Sequence, residues 1–113
     1  MTTLHEQQCQ PLDKGTPALD SGAVSNLLSQ VDDWNVDDAG RVLTRCFRFK
    51  NYYETIAFVN ASAWVSHQQD HHPDLEVCYN RCTVHFTTHS IGGLSQNDFI
   101  CAARFNLLVR DSV

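Results

Sequence analysis

Between His67 and Asp98 the chain reads HQQDHHPDLEVCYNRCTVHFTTHSIGGLSQND, a window that holds five of the six histidines. His71 and His72 are adjacent and followed by Pro73, and His89 closes the triplet Thr87-Thr88-His89. Imidazole has an unperturbed pKa near neutrality, so several histidines in one short window point to proton transfer or metal ligation. The case for metal is thin. His67 and His71 stand at i, i+4, as two zinc ligands on one helical face would, but the glutamate of an HExxH motif is missing and Asp70 precedes the histidine pair instead. The sequence has no GxSxG elbow, no cysteine in a protease context and no glycine-rich phosphate loop, which leaves metal-free and cofactor-free acid-base chemistry as the expectation. Two or three imidazoles around one pocket can protonate a leaving group and take a proton from elsewhere on the substrate, and a dehydration needs both.

Each of these residues also has a structural reading. His67 and His85, taken singly, read as hydrogen-bonded filler or as partners of a helix dipole. Asp98 stands three residues after Ser95, the spacing of a helix-start cap. Cys78 and Cys82 flank a turn and read as small core residues. His5 lies far from the window.

Whole-chain properties narrow the classes further. A chain of 113 residues supports a single hydrophobic core. A net charge of -5, with eight scattered lysines and arginines, argues against a nucleic-acid partner, which calls for a basic patch. No run approaches the ~20 apolar residues of a membrane span, and the beginning, MTTLHEQQCQPLDKG, lacks a basic n-region with an apolar stretch. A cytoplasmic protein is expected. Its five cysteines would be reduced rather than a disulfide framework.

The elements that must position the histidines follow from periodicity. Residues 1–20, with Pro11, Gly15 and Pro17, show no period and read as a mobile N-terminal arm ahead of a domain over 21–113. Val24, Leu27, Leu28 and Val31 share one helical face, with Ser21 as cap. Trp34-Asn35-Val36, the turn Asp37-Asp38-Ala39-Gly40 and the apolar run from Arg41 to Lys50 form a hairpin. Asn51 with Glu54 opens a second helix running to about Gln69, with Ile56, Phe58, Val59, Ala63 and Trp64 as its apolar face. Pro73 disfavours helix at His72, so the double histidine sits where the helix ends. Glu76–Tyr79 and Arg81–Thr88 read as strands around Asn80. Ser95 and Asp98 open a last helix that buries Phe99, Ala102, Ala103, Phe105 and Leu107. Hairpins separated by a helix predict an α+β domain, an antiparallel sheet with helices on one face.

Several ordered blocks add a resemblance. His71-His72-Pro73, Tyr79-Asn80-Arg81, Thr88-His89, Gly93-Leu94 and Asp98 resemble the signature of the pterin-4a-carbinolamine dehydratases. So do Asp33-Trp34-Asn35, Phe49-Lys50-Asn51, Asn97-Asp98-Phe99-Ile100 and Ala102-Ala103-Arg104, as in bacterial members. The likeness covers roughly residues 21–108.

This resemblance implies a four-stranded antiparallel sheet with three helices packed on one face. It implies loss of water from 4a-hydroxytetrahydropterin to give quinonoid dihydropterin, in recycling of the tetrahydrobiopterin-type cofactor of aromatic amino acid hydroxylases such as phenylalanine hydroxylase. His71, His72 and His89 would be the catalytic residues, with His71 and His89 as general acids and His72 binding substrate and assisting as base. Pro73, Asp98 and His67 would be the substrate-binding residues, with Asp98 either orienting a histidine or hydrogen-bonding the pterin ring. A homodimer or homotetramer is expected. Many relatives carry glutamate where His67 stands, and a cation there would disfavour protonated His71. The alternative is a non-catalytic regulatory or dimerisation partner of the same fold, as animal members also serve.

Overall fold

The computed structural model describes residues 3–109, so Met1, Thr2 and Arg110–Val113, the ends of the expected arm and domain, lie outside the described residues. Helix α1 spans Ser21–Leu28, β1 Asn35–Val36, β2 Leu43–Arg48, α2 Tyr52–Gln69, β3 Asp74–Cys78, β4 Arg81–Phe86 and α3 Gln96–Leu108, with short 3-10 turns at Leu4–Glu6 and His89–Ile91. The four strands form one antiparallel sheet in the order β1-β2-β4-β3. This is the expected α+β class: three helices against a four-stranded antiparallel sheet.

Alternation along the central strands determines which face is covered. Register pairs Leu43 with Phe86, Arg45 with Val84 and Phe47 with Cys82, so one face of the sheet carries the buried Leu43, Phe47, Cys82, Val84 and Phe86. The helices cover that face. Phe58 of α2 lies 4.5 Å from Phe47, and Phe105 of α3 lies 6.0 Å from Phe58 and 5.0 Å from Phe86, ring centroid to centroid. Val24 of α1 and Trp34 join the same cluster. Each fully buried aromatic or aliphatic side chain contributes about 1.5–3 kcal/mol of transfer free energy. Aromatic pairs at these separations add about 0.5–1.5 kcal/mol. The opposite face carries Thr44, Cys46, Thr83 and His85, and His85 bridges the Thr44 hydroxyl and the Glu76 carboxylate.

Helix ends depart from expectation in instructive ways. The cap of α1 is Asp20, whose carboxylate accepts from the Ala23 N–H at 2.8 Å, rather than Ser21. Val31 is buried but lies past the last turn of α1. At α2 Asn51 caps as expected, accepting from the Glu54 N–H at 2.9 Å, while the Glu54 carboxylate accepts from the Lys50 N–H instead of completing a box on Asn51. The buried face of α2 is Thr55, Phe58, Ser62, Val65, Ser66 and Gln69, and Trp64 is 61% exposed. An α-helix buries one stripe, and Phe58, Ser62 and Val65 define it at spacings that leave Trp64 on the other side. Leu107 is likewise outward, at the far end of α3. β3 begins earlier than expected, at Asp74, and β4 ends at Phe86 rather than Thr88.

The lead-in read as a mobile arm is docked in the structure. Leu4 is buried in the core cluster. The Cys9 N–H donates to Gln69 Oε1 at 2.8 Å. Gln10 and Asn97 exchange two hydrogen bonds, at 3.0 and 2.8 Å, and Arg104 Nη2 donates to the Gln7 carbonyl at 2.8 Å.

Candidate active site

Strand register brings the histidine segments together. Asp74 at the start of β3 pairs with His85 near the end of β4, so the segment before Asp74, with His71, His72 and Pro73, and the segment after Phe86, with Thr88 and His89, leave the sheet at one end. α2 delivers the first segment. Its C-cap is Asp70 in the left-handed region (φ 50°, ψ 43°), a conformation that Asp tolerates better than most residues, and the His71 N–H returns to the Ser66 carbonyl at 3.2 Å. His71 is therefore off the helix, and His67 and His71 do not share a helical face.

His71 meets Asp98 at this end of the sheet. Its Nε2 lies 2.5 Å from Asp98 Oδ1, and its ring stacks on Phe86 with centroids 5.8 Å apart and planes 7° from parallel. Asp98 is fully buried at the start of α3. Its Oδ2 accepts from the Thr88 hydroxyl at 2.8 Å and from the Ser95 N–H at 2.9 Å. Ser95 Oγ lies 2.7 Å from Thr88 Oγ1; since the Thr88 proton points to Asp98, the Ser95 hydroxyl donates to Thr88. The Asp98 N–H in turn is capped by the Ser95 side chain, so Asp98 closes a capping box and holds the histidine at once.

The arrangement fixes the tautomer. Thr88 and Ser95 both donate to Oδ2, and with the proton that His71 retains Nε2 donates to Oδ1, which makes Nδ1 the nitrogen not engaged by Asp98. Burial works against charge on His71, but the hydrogen bond and negative charge of Asp98 outweigh it, with help from Cys9 and Asp70, and His71 holds its proton above the usual imidazole range.

The other predicted residues are placed less tightly. His72 is exposed directly after His71, Pro73 is half-buried between them and β3, and His89 is exposed at the start of the 3-10 turn His89–Ile91. His67 stands apart. It packs on Trp64 with ring centroids 5.7 Å apart and lines a cleft of about 460 Å³ with Gln8, Gln69 and Arg104. Among the described residues, no three His, Cys, Asp or Glu side chains converge as a group that could hold a metal. Sequence reasoning gave no site role to Thr88, Ser95 or Phe86. The available signal was the capping spacing of Ser95 and Asp98, which marks a carboxylate held by its own helix start.

The sequence and the fold both have known relatives. The sequence profile of the family described as Pterin 4 alpha carbinolamine dehydratase matches residues 17–108. A Nitrosospira multiformis protein named for pterin-4-alpha-carbinolamine dehydratase is 51% identical over 93% of this chain and 91% of its own length, and a Nitrosomonas eutropha protein named likewise is 53% identical over 94% and 93%. A crystal structure from Brucella melitensis, titled as a transcriptional coactivator/pterin dehydratase, superposes with a TM-score of 0.79 at 29% identity, over 82% of this chain and 99% of that one. This chain belongs to the pterin 4 alpha carbinolamine dehydratase family.

Proposed function

We propose that the chain is a 4a-hydroxytetrahydropterin dehydratase working by histidine acid-base catalysis. The observation that carries this reading is the His71–Asp98 pair, a positioned and proton-retaining imidazole at the end of the sheet where the His72 and His89 segments also emerge. In the reaction an imidazolium gives its proton to the 4a hydroxyl, the C–O bond breaks and water departs. A neutral imidazole takes the proton from the adjacent ring N–H, leaving quinonoid dihydropterin. His71 and His89 are assigned as acids at the two faces of the hydroxyl, and His72 as substrate contact and base. Pro73 is assigned as a substrate contact and Asp98 as the residue that orients His71, while His67 stands apart in the cleft it shares with Gln8, Gln69 and Arg104. Recycling of a pterin cofactor for an aromatic amino acid hydroxylase, in a cytoplasmic homodimer or homotetramer, belongs to the same proposal.

The second reading, a regulatory partner, is kept because the Brucella melitensis structure carries both descriptions in its title. One assay separates the two readings: the dehydration rate of chemically generated 4a-hydroxytetrahydropterin, followed by absorbance with and without protein, with His71→Ala and His72→Ala as controls. Acceleration that the controls lose supports the enzyme. Absence of acceleration from folded protein would shift the weight to the regulatory reading.

A further inference from the structure

The N-terminal strap is held in register along α3. Gln7 meets Arg104, Cys9 meets Cys101 and Gln10 meets Asn97, so successive strap contacts step along one face of the helix in the opposite chain direction. At the centre of this register the Cys9 and Cys101 sulfurs lie 3.6 Å apart. Backbone and amide hydrogen bonds on both sides keep them there: Cys9 N–H to Gln69, and the reciprocal pair between Gln10 and Asn97. A disulfide requires sulfurs at about 2.05 Å, so closure asks for a side-chain adjustment of between one and two ångströms from an already facing pair.

We propose that Cys9 and Cys101 are a thiol pair that closes to a reversible disulfide when a hydroperoxide reaches the strap. Cys9 is the half-buried partner and takes the attacking role; Cys101 is fully buried and resolves. The Cys9 thiolate attacks a peroxide oxygen, the O–O bond breaks, and hydroxide or alkoxide leaves and takes up a proton. Sulfur is oxidised to sulfenic acid and the peroxide is reduced. The Cys101 sulfur then displaces the sulfenic oxygen, the S–O bond breaks, and the departing hydroxide takes the Cys101 proton as water. A dithiol reductant reverses the link by exchange. The electrostatics divide the roles in the same way. The hydrogen bond from Cys101 lowers the Cys9 pKa against the effect of burial, with His71 and Arg104 assisting, whereas that bond and burial raise Cys101. In a reducing compartment such links are transient and redox-sensing.

The test is treatment of the reduced full chain with hydrogen peroxide, followed by intact mass and a non-reducing peptide map. Expected are loss of two hydrogens in mass, a peptide containing Cys9 joined to one containing Cys101, an increased midpoint of thermal unfolding, and reversal of all three by dithiothreitol. Cys9→Ser and Cys101→Ala should each abolish the link. Cys9 is half-buried on the strap and serine is close to it in size, so the Cys9 variant keeps the test standing even if the Cys101 variant folds poorly. Oxidation at the exposed Cys46 with Cys9 and Cys101 still titrating as free thiols would overturn the proposal. So would a Cys9 sulfenic acid that proceeds to higher oxides without closing.

Discussion

His71 Nε2 and Asp98 Oδ1 are joined by a 2.5 Å hydrogen bond whose carboxylate is fully buried and held from its other oxygen by Thr88 and Ser95. The bond links the end of α2 to the start of α3 and fixes which imidazole nitrogen is free. Asp98 is thus the side chain that both holds His71 and contributes most to keeping its proton.

Replacing Asp98 with Asn tests that dependence. An amide keeps the shape but removes the charge that holds the His71 proton, so the His71 pKa falls and the rate falls by on the order of 10²-fold, as for loss of a general acid. The stability consequence has a defined sign. His71 in the folded chain binds its proton more tightly than the unfolded chain, whose histidine titrates near ~6.5. Stability from the pair is therefore fully present below that value and lost as pH rises through the raised folded value. The stability gap between the natural chain and Asp98→Asn should be wider at about pH 6 than at about pH 9. Urea titrations at the two pH values measure it, and an unchanged gap would count against a charged His71–Asp98 pair.

The sequence made some of this legible and hid the rest for physical reasons. The capping spacing of Ser95 and Asp98 and the alternation of Cys82, Val84 and Phe86 are local, so the start of α3 and the covered face of β4 follow from them directly. Family likeness singled out His71, His72 and His89, an assignment that spacing alone did not make. The docked strap was invisible because Gln7, Cys9 and Gln10 are held by hydrogen bonds to residues far away in the sequence, which leave no period. Trp64 misled for the opposite reason: it is large and apolar but lies outside the stripe set by Phe58, Ser62 and Val65.

His72 and His89 separate catalysis from stability more cleanly than His71 does. Both are exposed, so alanine at either position should leave unfolding free energy within about 0.5 kcal/mol of the natural chain. If they carry the proposed acid and base roles, each substitution still slows dehydration by on the order of 10²-fold. Chemical denaturation and the absorbance assay on the same preparations decide it. Natural rates in both variants would remove these two histidines from the mechanism.

Gly93 shows how closely the site is tied to the lead-in. A Cβ built there would lie 2.8 Å from the Ala18 Cβ, closer than two carbons pack, although the backbone at Gly93 is not left-handed. The carbonyl of the same residue accepts the Thr88 N–H at 3.0 Å, and Thr88 is one of the donors that hold Asp98. Its neighbour Leu94 accepts the Leu19 N–H at 2.9 Å, so the lead-in cannot move off without losing that bond. Gly93→Ala should therefore cost about 1–3 kcal/mol by overpacking, and it should also reduce the dehydration rate by disturbing Thr88. Removing the opposing methyl with Ala18→Gly should recover most of both losses, because it relieves the contact without touching the Thr88 bond. Denaturation midpoints and rates for the single and double variants give the coupling between the two positions. Purely additive losses would mean that the contact does not limit Gly93.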